Sequence, residues 1–294
     1  MGLALSCYGI ERVDMQNRPL ENTVFVLAAG FFGVFLRWLQ LQLAFDDKGL
    51  CGPSIFNYIV PLFIIIAAWV LRSRIKKLLG GELILPADYH EALANPGRFY
   101  AFLRWLLGLM MAGGGALLIR GSEVEKHTLM LRLIGGAAIA AGLAFPLYLG
   151  WANRKLKRFS RELICLFGLL PIALFGIWLV YDYVNNAINS VIWGFLVEVL
   201  AVSVLMLAFF RLAGYAYGTA EPKKALFWIQ FGVFMSLTVL ADSRRTGMQV
   251  IFLSAGLMLT LADFILLKKL REKPEEKPPE GEDAPLPNGG IEEL

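Results

Sequence analysis

The sequence predicts an all-α fold: a polytopic integral membrane bundle of eight transmembrane helices with both termini cytoplasmic. Three observations lead there. Composition is the first, because 57% of the 294 residues are apolar and only 18% are charged, with a mean hydropathy of +0.60, outside the range of ordinary soluble domains. The second is spacing. The apolar residues gather into runs of roughly 20, the length a helix needs to cross a hydrocarbon layer about 30 Å thick, and lipid obliges each run to satisfy its own amides. The third is the distribution of the 28 Lys and Arg residues: 20 lie on one set of alternate connections and the termini, five on the other set, and three inside the runs. Connections rich in Lys and Arg stay on the cytoplasmic side during insertion. Both ends of the chain therefore belong inside, and the number of spans must be even.

The first run, 23–45, is too long and too far from residue 1 for a cleaved signal peptide, so it reads as a retained signal anchor. The second, 54–72, is interrupted by Pro61, which removes a backbone donor. An inner connection follows, with Gly80 and Gly81 as punctuation, Pro86, and a short helix from Asp88 to Ala94 that Asp88 can cap. Asp88, His90 and Glu91 read as the solvated face of that helix rather than as a metal cluster. The third run, 98–119, carries Gly113, Gly114 and Gly115. The fourth, 128–150, has small residues on every side, from Gly135 to Gly142, which predicts a place in the middle of the bundle against the third. The remaining runs are 163–181, broken by Pro171, then 190–211, 224–241 and 248–267. Residues 1–271 thus form one transmembrane domain. The Glu- and Pro-rich stretch 272–294 cannot bury enough apolar surface to offset its ordering entropy and reads as a disordered acidic tail.

Several functions are excluded by what the spans lack. Cys7, Cys51 and Cys165 fall at three different levels, and His90 and His127 fall in opposite-side connections, so no metal site and no cofactor is expected. A phosphate-binding Gly-rich loop before Lys-Ser/Thr is missing, so the chain does not drive transport with ATP by itself. The cationic clusters are not interleaved with aromatic residues, which argues for anionic lipid and against nucleic acid. The pentapeptide Phe35–Leu39 recurs at Phe102–Leu106, but little beyond it matches and no repeat is inferred.

Charges at membrane depth are the sharpest signal, since each costs roughly 2.5–3.5 kcal/mol at a helix centre on insertion scales. Arg104 and Asp263 lie at similar inner depth and form one candidate ion pair. Arg37 and Glu198 both lie roughly 12 Å below the outer edge at 1.5 Å rise per residue, and their opposite signs predict a pair or two walls of one outward-facing polar cavity. Arg132 stands nearer its mouth, and Asp182, Asn185, Asn186, Asn189, Asp242, Arg244 and Arg245 complete the rim.

The function this pattern favours is a secondary transporter or permease. Arg37 and Arg132 attract a small anionic solute or lipid headgroup, and Glu198 titrates or counters charge. The alternative is a scaffold or assembly subunit, in which the same charges fix helix register and the tail binds other membrane proteins. A lipid-modifying enzyme with Glu198 as general base ranks third, because no nucleophile or second acid stands at its depth. The partners expected are membrane lipids, with a membrane-protein partner or a second copy of the chain as the protein contact, and the location a cell membrane, that of a bacterial cytoplasm first.

Overall fold

A computed structural model describes residues 2–44, 54–79, 83–95, 97–124, 128–153, 158–186, 192–242 and 244–272. The helices are α1 (Gly2–Ala44), α2 (Phe56–Leu78), α3 (Tyr89–Leu93), α4 (Arg98–Arg120), α5 (Thr128–Trp151), α6 (Arg158–Asn186), α7 (Ile192–Tyr217), α8 (Pro222–Thr238) and α9 (Thr246–Leu267). All but α3 hold a stretch long and apolar enough to cross a membrane, giving the eight spans expected. The tail beyond Glu272 lies outside the described residues.

Each outer helix turns one narrow stripe inward. On α1 the buried positions include Asn22, Val26, Gly30, Gly33, Arg37, Gln40 and Ala44, a spacing of three and four that keeps them on one face. Gly30 and Gly33 let α8 approach closely: a Cβ on Gly30 would meet Leu237, and one on Gly33 would meet the hydroxyl of Thr238. The same spacing recurs on α2 at Asn57, Val60, Ile64, Ala67, Leu71 and Ile75. The opposite faces, with Phe31, Phe35, Tyr58 and Trp69, are exposed, as lipid-facing surfaces should be.

The middle of the bundle is not the fourth span. In α8 and α9, 72% of the apolar window is buried, against 44% in α5. The small residues of α5 instead mark one tight contact. Gly142 lies against the backbone of Gly108 on α4, and Gly135 against that of Gly115, while Gly136 faces open space. Small side chains thus report how near one neighbour comes, not how many neighbours a helix has. Of the three consecutive glycines on α4, Gly115 meets α5, Gly114 turns to α9, and Gly113 touches nothing within 4 Å. The true centre is filled by bulk: Phe227, Phe231 and Phe234 stack along α8, and Trp178 of α6 packs on Phe252 of α9 with centroids 4.7 Å apart.

Eight crossings return the chain to the end of the bundle from which it entered, here called the termini end; the opposite end is the far end. A two-residue antiparallel pairing, β1 (Leu83–Ile84) with β2 (Arg271–Glu272), joins the connection after α2 to the segment leaving α9. Both therefore lie at the termini end, as even spans require. The short helix α3 docks there too. Asp88 caps it, accepting from the amides of His90 (2.9 Å) and Glu91 (3.2 Å). Its side chain and that of Glu91 face solvent, while the Tyr89 hydroxyl donates to the Tyr148 carbonyl and His90 Nδ1 lies 2.8 Å from the Ala152 carbonyl oxygen. Burial pushes the Tyr89 phenol above its ordinary value, opposed in part by the nearby Arg104 guanidinium.

The α4–α5 contact yields a paired test. Gly142→Leu should lower stability by about 1–3 kcal/mol, since its Cβ would meet backbone that cannot move aside. Gly136→Leu should leave the thermal unfolding midpoint in detergent unchanged, because that position is open. Equal midpoints for the two variants would contradict the packing described.

Candidate functional site

Arg37 is fully buried at 0% exposure, and every side of its guanidinium is answered. Its Nε lies 2.7 Å from Asp242 Oδ1. Nη1 donates to Gln40 Oε1 at 2.7 Å, one helical turn along α1 on the same stripe, and Nη2 donates to the Gly194 carbonyl at 3.1 Å. Gln40 passes the chain on, donating to Asn57 Oδ1 of α2 at 3.1 Å.

Asp242 reaches Arg37 because α8 is short. After Thr238 the helix tightens into a 3₁₀ turn, Val239–Ala241, and the connection to α9 sinks into the bundle instead of riding on its surface; Asp242 is 3% exposed. Arg37 stands seven residues before the end of α1, so that connection sits roughly 10 Å below it at 1.5 Å per residue. Gln249 secures the turn by donating to the Asp242 carbonyl at 3.2 Å.

From the same connection Arg244 reaches the other way. Its Nη1 lies 2.5 Å from Glu198 Oε2 on α7, and its Nη2 lies 3.5 Å from Asp242 Oδ2. Glu198, also at 0% exposure, accepts the indole N–H of Trp178 on α6 at 3.3 Å. Asp182, one turn beyond Trp178 and 1% exposed, lies within electrostatic reach of both Glu198 and Arg244. A continuous polar chain therefore runs Asn57, Gln40, Arg37, Asp242, Arg244, Glu198, Trp178 across the far end, linking α2, α1, the α8–α9 connection, α7 and α6.

The residues singled out from sequence divide accordingly. Arg37 and Glu198 belong to one network at matched depth, but they do not touch: Asp242 and Arg244, expected at a rim, are the bridge between them. Arg245 leaves the network and donates to the Gly121 carbonyl at 3.0 Å, tying the end of α4. Arg132 is exposed on α5, a helix that packs against α4 and α6 on the side away from α1, so it cannot stand at the mouth of a site built on Arg37. Nor do Arg104 and Asp263 pair. Asp263 accepts from Gln230 Nε2 of α8 at 3.0 Å. Arg104 lies four residues before Gly108, on the stripe of α4 that faces α5, and its guanidinium occupies the space left by the missing side chain of Gly150. The face of α4 that meets α9 carries Gly114 instead.

Gln40, Asn57 and Gln230 are not singled out when residues inside the spans are weighed by formal charge alone, and of the rim asparagines Asn189 lies outside the described residues. The signal was present: uncharged polar residues are nearly as conspicuous in an apolar run, and Gln40 follows Arg37 by three.

At the termini end, Arg104 lines a cavity of about 450 Å³ with Asn95, Trp105, Gly150, Trp151 and Asn153. Its described lining contains no acidic residue, so the site suits an anion. No family model matches the chain, and neither a curated protein nor a solved structure matches it.

Removing one partner of a buried ion pair strands the other, which costs about 3–5 kcal/mol. Arg37→Met should lower stability by that order in chemical or thermal unfolding, and adding Asp242→Leu should recover a large part of the loss. An Arg37→Met protein as stable as the parent would contradict the network.

Proposed function

We propose that this integral membrane protein is a permease-like carrier of a small anionic group, free or as a lipid headgroup, with Arg104 as the anion's contact. The observation that carries this is the cavity at the termini end, where Arg104 and two asparagines stand among apolar and aromatic walls, set against an opposite end that is crossed by a buried ion chain. Arg37 and Arg244 are each engaged by carboxylates and Arg132 lies away from Arg37, and the anion's place is assigned instead to the cavity that Arg104 lines. The far-end chain then serves as the closed barrier and the Arg104 cavity as the open side, cytoplasmic by the distribution of Lys and Arg.

Depth supports the choice of ligand. Arg104 lies six residues into α4, roughly 9 Å at 1.5 Å per residue, where its long stem brings the guanidinium to headgroup level. Trp105 and Trp151 flank it, as aromatic residues flank headgroups at membrane interfaces. A planar guanidinium is matched to phosphate oxygens, which it can engage two at a time.

A scaffold is the second reading, and the complete burial of Arg37 and Glu198 favours it, because a sealed ion chain fixes helix register without handling any ligand.

The two separate on one variant. The purified protein should retain phosphatidylglycerol over phosphatidylcholine in native mass spectrometry, bind inorganic phosphate more weakly, and move a labelled phosphatidylglycerol across proteoliposomes. Arg104→Gln should reduce retention and movement about tenfold, the effect of roughly 1.4 kcal/mol. Equal retention of both lipids by the parent, or an unchanged Arg104→Gln protein, would leave the scaffold.

A further inference from the structure

Among the described residues, the polar chain at the far end, with Asp182 beside it, contains three carboxylates, Asp242, Glu198 and Asp182, and two guanidiniums, Arg37 and Arg244. Two of the acids are well supplied. Asp242 faces Arg37 and Arg244, and Glu198 has Arg244 and the indole of Trp178. Asp182 has no cation paired to it and only the shared neighbourhood of the Trp178 indole. Both of its carboxyl oxygens are buried without a hydrogen bond, although the residue is only 1% exposed. Trp178 has a single N–H and directs it to Glu198, and the Asn186 side chain reaches the Asp182 backbone carbonyl rather than its carboxyl. An unpaired carboxylate that deep is held charged only at great cost.

We propose that Asp182 and Glu198 form a binding site for one exchangeable proton, carried on Asp182 in the closed arrangement. This stands apart from the anion cavity, which lies at the other end of the bundle. The groups facing Asp182 are Glu198 from α7, Arg244 from the α8–α9 connection, and Tyr181 from its own helix. With the proton bound, two anions and two cations balance, and Arg244 is free to serve Glu198 and Asp242. Loss of the proton breaks the Asp182 O–H bond and hands H⁺ to water, leaving the electron pair on the carboxylate. The site then holds one negative charge in excess, Glu198 and Asp182 repel, and Arg244 is drawn between them and away from Asp242. Arg244 is the member able to move, since its side chain is 23% exposed where Arg37 and Glu198 are sealed. The ion chain thus becomes a latch that a proton keeps shut. A metal cation fits less well, because among the described residues no group of three ligating side chains gathers there.

Isotope-edited infrared spectroscopy of the full chain in lipid nanodiscs tests this. Protein labelled with ¹³C-carboxyl aspartate should display, at neutral pH, the carbonyl stretch of a protonated acid at the shifted frequency. The band should vanish in Asp182→Asn, persist in Asp263→Asn and in Arg104→Gln, and titrate away at alkaline pH together with a change in Trp178 fluorescence, read as the difference from Trp178→Phe. The Trp178 readout decides the matter in the parent protein even if Asp182→Asn does not fold. Absence of the band in the parent, its survival in Asp182→Asn, titration without a Trp178 change, or its removal by sodium in place of choline would each overturn the proposal.

Discussion

The far end of this protein is organised by the rule that a charge at membrane depth needs a partner. Lipid supplies no hydrophobic drive between one helix and the next, so apolar faces alone do not dictate which spans adjoin or at what height. Arg37 imposes both. Its guanidinium can be satisfied only if an acid is brought to the same depth, and the short α8 with its sunken connection brings Asp242. Once that connection is placed, Arg244 is carried to Glu198, which in turn fixes α7 against Trp178 of α6. Gln40 and Asn57 extend the same chain to α2. Five parts of the fold are registered by one run of polar contacts.

The other half of the bundle is held differently. Between α4 and α5 glycine faces glycine, at Gly108 with Gly142 and Gly115 with Gly135, so the backbones come close enough for dispersion to act over their whole length. The division has a functional consequence. The polar chain closes the far end with side chains that can change partner, whereas the glycine contact leaves, beside Gly150, the room that Arg104 occupies at the termini end. On the proposals made above, a proton would rearrange the ion chain while the cavity beside Arg104 takes an anion, the two parts an alternating carrier would need.

Much of this was legible in the residues. The eight spans follow from run length and the Lys and Arg count, and Asp88 announced the cap of α3 from its place just after Pro86 at the head of a short helix. That Arg37 and Glu198 belong together was legible too, since counting residues from span ends put both at one expected depth, and one polar chain joins them. What a linear count does not contain is azimuth. In a bundle whose outer surface is as apolar as its core, hydrophobic periodicity does not mark the inward face, so the partners of Arg37 and Arg104 were mismatched. The buried stripe of α1 is instead marked by its small and polar residues, Gly30, Gly33, Arg37 and Gln40. The bulk of α8 and α9 fills the centre that the alanines and glycines of α5 were expected to hold.

The central claim is that Arg37 and Glu198, which do not touch, act as one electrostatic unit through Asp242 and Arg244. A double-mutant cycle on unfolding free energy, combining Arg37→Met with Glu198→Gln, measures it directly. Residues without shared partners add to within about 0.3–0.5 kcal/mol, and members of one network couple by about 0.5–3 kcal/mol. Coupling in that upper range is predicted; simple additivity would mean that the two charges are separate, and the chain between them would not be the element that orders the far end.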